Sequence, residues 1–196
     1  MNLSHIVSVL NEVDVPIHIL SASELQNKKY CYAVVIPTDK LSSFRGTPSS
    51  NSAKETGVYI IDCDLDVFYE ANKSTNFEGV VQIEKIIKDN FDILETEYVI
   101  SFALFSILHE VGHIRHLQNS KLSYEEYYDT YQRTWDNIYR NYLFMYNLYG
   151  TTPERKKAVN QLFGEEYRQH AFESYADSFA IEHFEKYMCK LRNMIK

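Results

Sequence analysis

Residues 109–113 (HEVGH) combine residue types and a spacing that suit metal-ion chemistry. On an α-helix, residues four apart lie on one side and about 6 Å apart along the axis, so His109 and His113 can bind the same tetrahedral ion. Glu110 lies beside the first histidine and is angled toward the open coordination position, where it can accept a proton from metal-bound water. Imidazole and carboxylate ligands suit Zn²⁺, which lowers the pKa of bound water toward about 7. The motif predicts a zinc site with Glu110 as general base.

A catalytic zinc ion held by two histidines needs a third protein ligand, and Glu173 is the best candidate in the sequence. It lies in residues 170–180 (HAFESYADSFA), which we predict to be part of a second helix. Ala176 and Ala180 share a face with Glu173 and Asp177, and these small residues would let the second helix lie close to the first. Asp177 could then accept a hydrogen bond from the free ring N–H of a ligating histidine, as carboxylates near metal sites commonly do.

Two further histidines and two tyrosines are candidates for roles near this site. His116 lies about 10 Å along the axis from His109, too far for both to bind one ion from an unbroken helix, so we expect it to support the site or to lie at the surface. His170 lies one turn before the carboxylate candidate and stays open as a ligand. Tyr175 or Tyr167 could donate a hydrogen bond to a developing oxyanion, although ordinary packing is the simpler interpretation of each.

The motif HEVGH followed by ESYADSFA on a later helix resembles the gluzincin metallopeptidases, in which H-E-x-x-H supplies two metal ligands and a downstream Glu the third. The spacing is similar to that of the HtpX-type and CAAX-prenyl-protease families, with their E-x-x-x-D second motif, and of the small ImmA/IrrE metallopeptidases. The resemblance implies that His109, His113 and Glu173 bind zinc, that Glu110 is the general base and that Asp177 supports the site. The chain differs from these families by lacking the membrane spans of HtpX-like enzymes and by its Tyr-rich segment between the motifs.

The same resemblance implies a zincin-like domain, in which a β-sheet lies beside the active-site helix. A strand such as GVYIID (residues 57–62) would form the edge of this sheet. An extended peptide could add to that edge as a further strand, which would bind substrate without reading much of its sequence.

The composition limits the classes of partner. With 196 residues, of which 45% are apolar and 24% charged, the chain has the size and composition of one globular domain. A formal charge of -7 without a Lys/Arg-rich run disfavours nucleic acid as a partner.

The N-terminus has no basic segment typical of a signal peptide, and the longest apolar run, residues 98–108, is about half of what a membrane span needs. Cys31, Cys63 and Cys189 are far apart and predict reduced, mostly packed thiols. We therefore expect a cytoplasmic protein without a membrane partner, and the oligomeric state stays open.

The apolar pattern predicts an α+β fold that is mainly helical, with a small N-terminal antiparallel or mixed β-sheet packed on the active-site helix. We predict a single domain over residues 1–196, in which residues 1–96 form the helix and sheet part and residues 97–196 form the helical part that carries the metal site. In the first part we expect a helix over 4–13, strands over 15–20, 30–36 and 57–62, a loop over 41–56 and a helix over 78–91. In the second part we expect a central apolar helix over 97–117, an aromatic-striped helix over 124–149, a short helix over 154–162 and a last helical region over 164–194.

Along the helix predicted over 124–149, a mostly aromatic stripe recurs at alternating spacings of three and four residues. We call this set the aromatic stripe: Tyr124, Tyr128, Tyr131, Trp135, Ile138, Tyr142, Tyr146 and Tyr149. This spacing is typical of a packing seam between helices, and we interpret the stripe as such rather than as a ligand-binding strip.

Taken together, these features predict a zinc-dependent endopeptidase that acts on proteins or peptides. One alternative is a non-catalytic or regulatory zinc-binding interaction protein with a gluzincin-like fold, whose striped helix serves a partner. Hydrolysis of a non-peptide amide is a second alternative. The simplest alternative for the motif itself is a helix with two satisfied histidines and a surface glutamate.

Overall fold

Seven α-helices and three short strands make up the part of the chain that the computed structural model describes, residues 1–20, 34–36, 56–75 and 77–195. In chain order the elements are α1 (Leu3–Val9), β1 (Ile17–Leu20), β2 (Val34–Ile36), β3 (Gly57–Ile61), α2 (Leu65–Thr75), α3 (Phe77–Asn90), α4 (Tyr98–Ser120), α5 (Tyr124–Tyr149), α6 (Pro153–Gln169) and α7 (Ala171–Ile195). The fold is therefore mainly helical with a small sheet near the N-terminus, and the predicted α+β class is confirmed at this level. The predicted loop over 41–56, apart from residue 56, and Cys31 lie outside the described residues.

The small sheet has the strand order β1-β3-β2. β3 pairs in parallel with β1, where Ile17 lies opposite Val58, and antiparallel with β2, where Val35 lies opposite the same residue. All five residues of β3 are buried, as expected of an apolar strand covered on both faces. The prediction that GVYIID forms a sheet edge is wrong, because β3 has a neighbour on each side, and within the described residues the outer strands are β1 and β2. The parallel β1–β3 pair likewise shows that the sheet is not entirely antiparallel.

Helix α4 lies at the centre of the fold, as predicted. Its first half is apolar nearly all round, and its buried residues join those of α1, β3 and α7 in the main hydrophobic core. A Cβ atom at Gly112 would lie 2.7 Å from the Cα and 3.0 Å from the backbone oxygen of Ala176 on α7. Ala176 and Ala180 are fully buried. The predicted close approach of two helices through small residues is thus confirmed, and it brings α7 against the motif.

Helices α5 and α6 form a hairpin. Each begins at a side-chain cap: Ser123 accepts from the backbone N–H of Glu126 at α5, and Thr152 caps α6 with Pro153 at its first position. Part of the aromatic stripe faces α6, where the ring of Tyr142 lies 4.5 Å from that of Phe163. The predicted inter-helix seam is confirmed for this part of α5, although most of the stripe is only half-buried.

The boundary between the last two helices differs from the prediction. α6 continues through Gly164 to Gln169, and the chain breaks at His170, whose φ and ψ are -58° and 135°. Gly164 is not a helix end. It is buried, and a Cβ atom there would lie 3.1 Å from the side chain of Gln82, so the glycine lets α6 lie close to α3. The turn at His170 folds the end of α6 back onto α7, next to the motif.

Two smaller features depart from the expectations. Helix α2 was not predicted, although Asp64 carries a start signal for it, accepting a hydrogen bond of 3.0 Å from the backbone N–H of Asp66. Cys189 is exposed rather than packed. Of the predicted strand over 30–36, the structure describes residues 34–36.

Among the described helices, none combines the length and the hydropathy that a membrane span needs.

We expect Gly112→Ala to lower the free energy of unfolding by about 1–3 kcal/mol, because the added methyl group meets the backbone of α7, which cannot move aside locally. This loss should appear although alanine favours a helix over glycine by about 1 kcal/mol. Urea denaturation followed by circular dichroism measures the change. Gly164→Ala is the matched control: its methyl group meets the movable side chain of Gln82, so it should stay within about 1 kcal/mol of wild type. Equal stability of the two variants would contradict the proposed helix contact.

Candidate metal centre

Helices α4 and α7 bring the side chains of His109, His113 and Glu173 to one point. Their ligand atoms all lie within 4.8 Å of one another. Nε2 of His109 lies 3.1 Å from Nε2 of His113 and 3.2 Å from Oε2 of Glu173, and Oε1 of Glu173 lies 3.6 Å from Nε2 of His113. Glu173 is 2% exposed and His109 is 6% exposed. This buried His-His-Glu group could hold a metal ion.

The separations of these atoms can be compared with a coordination shell. A tetrahedral site with metal–ligand distances of about 2.0–2.1 Å has ligand–ligand edges of about 3.3 Å. The two imidazole nitrogens are 3.1 Å apart, and they lie 3.2 Å from Oε2 and 3.6 Å from Oε1 of Glu173, respectively. The three side chains are therefore close enough together to hold a small divalent ion.

Charges in the group also suit a cation. Burial lowers the pKa of His113 to about 4, so this imidazole is neutral, as a ligand must be. Burial acts in the same direction on His109, but hydrogen bonds to Asp177 and Glu173 outweigh it and raise its pKa. Burial alone would raise the pKa of Glu173, yet the hydrogen bond from His109 and the nearby positive charges hold it well below its ordinary value. The buried carboxylate is thus stabilised by a positive partner, a role that a metal ion can take over from the proton on His109.

Asp177 orients the first histidine. Its Oδ1 lies 2.8 Å from Nδ1 of His109, so the ring N–H donates to the carboxylate and Nε2 faces His113 and Glu173. This is the contact that the sequence predicted, and it fixes the ring orientation and tautomer that a metal ligand needs.

The hydroxyl groups of two tyrosines donate hydrogen bonds to Oε1 of Glu173. The hydroxyl of Tyr167 donates to Oε1 at 2.8 Å and that of Tyr131 at 3.3 Å, while the two hydroxyls lie 2.9 Å apart. Burial raises the pKa of both phenols well above the ordinary value, so they stay protonated and act as donors. The sequence offered Tyr167, like Tyr175, as a possible oxyanion donor with ordinary packing as the simpler interpretation, and placed Tyr131 in the aromatic stripe. Their shared contact with Glu173 leaves Oε2 available to an ion.

Arg168 is a member of the site that the sequence did not indicate. Its Nη1 donates to Oδ1 of Asp177 at 2.8 Å and lies 3.7 Å from Oε2 of Glu173, and its side chain is 12% exposed. The guanidinium therefore balances the charge of two buried carboxylates. No motif marks this arginine, because it reaches α7 only through the turn at His170.

Glu110 faces a cleft of about 470 Å³ that opens beside the His-His-Glu group. Burial raises the pKa of this carboxyl group to about 7, close to the value at which a general base can both accept and return a proton near neutral pH. One wall of the cleft is aromatic, with the ring of Trp135 stacked on that of Tyr139 at 4.8 Å.

The lining residues that the structure describes all belong to α2–α7, including Phe68, Gln82, Glu110, Trp135, Tyr167 and Arg168. In this part of the chain no sheet-edge residue lines the cleft.

The other candidates lie outside the His-His-Glu group. Nδ1 of His116 lies 2.9 Å from the hydroxyl of Tyr127, and its ring stacks on that of Tyr175 at 4.5 Å. The hydroxyl of Tyr175 accepts a hydrogen bond of 2.8 Å from Asn119. His170 is buried, and its Nδ1 accepts from the backbone N–H two residues on at 3.2 Å. These side chains form an aromatic cluster next to the site rather than part of it.

Comparison of the chain with protein-family models, with curated proteins and with solved structures gives no match. The likeness to gluzincins thus stays a prediction from the two motifs.

We expect the purified protein to bind one Zn²⁺ per chain, and His109→Ala and Glu173→Ala to abolish this binding, because each removes one of three ligands. Metal analysis after desalting measures the ion. At a free zinc concentration 100 times the dissociation constant, zinc binding should raise the free energy of unfolding by about 2.7 kcal/mol. A chelator should remove this increase. His116→Ala is the matched control and should retain the ion. Loss of zinc in this control, or its retention by Glu173→Ala, would count against the assignment.

Asp177→Asn should weaken zinc binding by about 10- to 100-fold while leaving its stoichiometry unchanged, since the amide keeps the size of the side chain but removes the charge that orients His109. Competition with a chromophoric chelator measures the affinity. Asp129→Asn, on the exposed face of α5, serves as the control and should bind zinc like wild type. An unchanged affinity in Asp177→Asn would show that the carboxylate does not support the metal ligand.

Proposed function

We propose that the protein is a zinc-dependent metallopeptidase of the gluzincin type that cleaves peptide bonds within a chain. The observation that carries this proposal is that His109, His113 and Glu173 come together as a possible metal site, and that His109, Glu173 and Glu110 line the same cleft. Three protein ligands beside an open space are typical of catalytic zinc sites, whereas structural zinc sites are usually closed by four. Among the described residues the group that could hold a metal has three members.

In this proposal His109, His113 and Glu173 would hold Zn²⁺, which when bound polarises the scissile carbonyl and lowers the pKa of a water molecule. Glu110 accepts the proton of that water and passes it to the leaving amine. Burial raises the pKa of Glu110 and so favours the return of the proton, whereas a bound cation would favour the ionised form that accepts it.

The neighbours of the ligands have positioning roles. Asp177 keeps Nε2 of His109 directed at the ion, and Arg168 balances the charges of both carboxylates. Of the two tyrosines considered as oxyanion donors, Tyr167 lines the cleft, whereas Tyr175 lies in the neighbouring aromatic cluster. In this proposal Tyr167 is the candidate donor to the developing oxyanion, and it serves only when its hydroxyl turns from Oε1 of Glu173 toward the substrate.

The cleft supports a peptide as the substrate. Its volume of about 470 Å³ can take a few residues of an extended chain, and the stacked rings of Trp135 and Tyr139 favour an apolar side chain next to the scissile bond. Because the described lining is helical, the bound peptide would contact helices α2–α7 in this part of the site. Proteins with accessible extended segments, in the cytoplasm that the sequence predicts, are the substrate class that we propose.

We expect zinc-loaded wild-type protein to cleave an unfolded protein, and Glu110→Gln to lose at least about 100-fold in rate while still binding one zinc ion, because the amide cannot accept the proton of water. Mass spectrometry of the new termini, together with the initial rate, measures cleavage. Glu182→Gln, on the exposed face of α7, is the matched control and should cleave like wild type.

The cleavage assay distinguishes the metallopeptidase from the alternative, a non-catalytic zinc-binding interaction protein. If wild type binds zinc but shows no Glu110-dependent cleavage of an unfolded protein or of itself, the zinc-binding interaction protein becomes the better interpretation. If both Glu110→Gln and wild type cleave at the same rate, the activity does not arise from this site.

A further inference from the structure

The outer end of the α5–α6 hairpin, residues 140–157, exposes several large apolar side chains. We call this segment the hairpin tip. Phe144 is 66% exposed and Leu148 is 52% exposed, and these two residues lie one helical turn apart on the side of α5 that faces away from α6. Leu143, Met145 and Tyr149 are exposed beside them. A contiguous apolar surface of this kind is typical of a docking site rather than of scattered surface residues.

Within the described residues, the hairpin tip lies beyond the contacts that join the hairpin to the rest of the fold. Asn160 on α6 accepts a hydrogen bond from Tyr142 at 3.1 Å and donates one to Glu78 on α3 at 3.4 Å. Further out, the hydrogen bonds and ring contacts described for residues 143–157 stay within the hairpin, as in the placement of the Lys156 ammonium 5.5 Å from the ring centre of Tyr146. The apolar side chains of the tip are thus directed away from the core.

The hairpin tip also has a charge opposite to that of the whole chain. It holds four basic residues against the single acidic Glu154, a formal charge of +3, whereas the chain as a whole carries -7. The remaining residues therefore carry -10. The basic residues are Arg140, Arg155, Lys156 and Lys157. A local basic surface on an acidic protein suits an anionic partner that contacts the tip alone.

We propose that the hairpin tip docks on an anionic lipid bilayer, with Phe144 and Leu148 entering the boundary between headgroups and acyl chains. Burial of such side chains gives apolar stabilisation, and nearby Lys and Arg side chains are attracted to the anionic headgroups. Nucleic acid would leave the outward apolar side chains without a partner. A second copy docked tip to tip would bring two surfaces of charge +3 together.

Docking of this kind differs from a membrane span, which none of the described helices can form. The sequence alone predicted no membrane partner, and the proposal revises that expectation for the surface of a bilayer. It does not depend on the hydrolase proposal. If both hold, the cleft lies near the lipid surface, because Trp135 in its wall is about 14 Å along α5 from Phe144.

The test is sedimentation of the full-length protein with unilamellar vesicles. One set contains equal amounts of phosphatidylcholine and phosphatidylserine, and the other contains phosphatidylcholine alone. We expect binding to the anionic vesicles that is weakened by salt, and at least about tenfold weaker binding to the neutral vesicles.

Substitutions test the residues. Phe144→Ser/Leu148→Ser should weaken binding to anionic vesicles by about tenfold or more, since each side chain loses its apolar burial. Arg155→Gln/Lys157→Gln should weaken binding and reduce its salt dependence. The matched control is Val67→Ser/Leu94→Ser, which removes two exposed apolar side chains far from the tip in sequence and should bind like wild type. Glu110→Gln should also bind like wild type, so that failure of the catalytic proposal and failure of this one are distinguishable.

Three outcomes overturn the proposal. The first is that wild type does not bind the anionic vesicles, and the second is that it binds both vesicle sets equally. The third is that analytical ultracentrifugation without lipid shows a dimer that Phe144→Ser/Leu148→Ser dissociates, which would assign the tip to a second copy of the chain.

Discussion

The contact between α4 and α7 at Gly112 and Ala176 determines whether the candidate metal centre exists. An added Cβ atom at Gly112 would lie 2.7 Å from the Cα of Ala176, so the space between the two helices has no room for a side chain here. This close approach brings the carboxylate of Glu173 to within 3.2 Å and 3.6 Å of the two imidazoles on the opposite helix. The helices that surround this pair add the residues that neutralise, orient and enclose the site.

Burial of charge is the second constraint on the site. Glu173 and Asp177 are both buried, and a buried carboxylate is costly unless opposite charge and hydrogen bonds compensate for it. Arg168, a proton on His109 and the hydroxyl of Tyr167 provide that compensation. The same arrangement can accept a divalent ion in exchange for a proton, which links the stability of the fold to metal binding. Burial of Glu110 beside the group raises the pKa of its carboxyl group by the same physical effect.

The α5–α6 hairpin serves the site at its base and presents a different surface at its outer end. At the base, Tyr131 and Tyr167 meet Glu173, and Trp135 with Tyr139 forms a wall of the cleft. Toward the outer end Tyr146 still lies against Lys156 of α6, whereas Tyr149 at the end of the stripe is 48% exposed. The aromatic pattern that predicts one continuous seam therefore corresponds to a packed part and an exposed part.

The periodicity of residue types along the sequence was enough to predict the main helices and which site residues share a helical face. The four-residue spacing of His109 and His113, and that of Glu173 and Asp177, places each pair on one helical face wherever the helix lies. The apolar pattern likewise predicted α4 as the central helix and the hairpin helix α5. Only the tertiary structure decided the central position of β3, the turn at His170 and the presence of Arg168 beside Asp177. These features depend on how elements far apart in the chain pack together, and side-chain periodicity within one element carries no information about its neighbour.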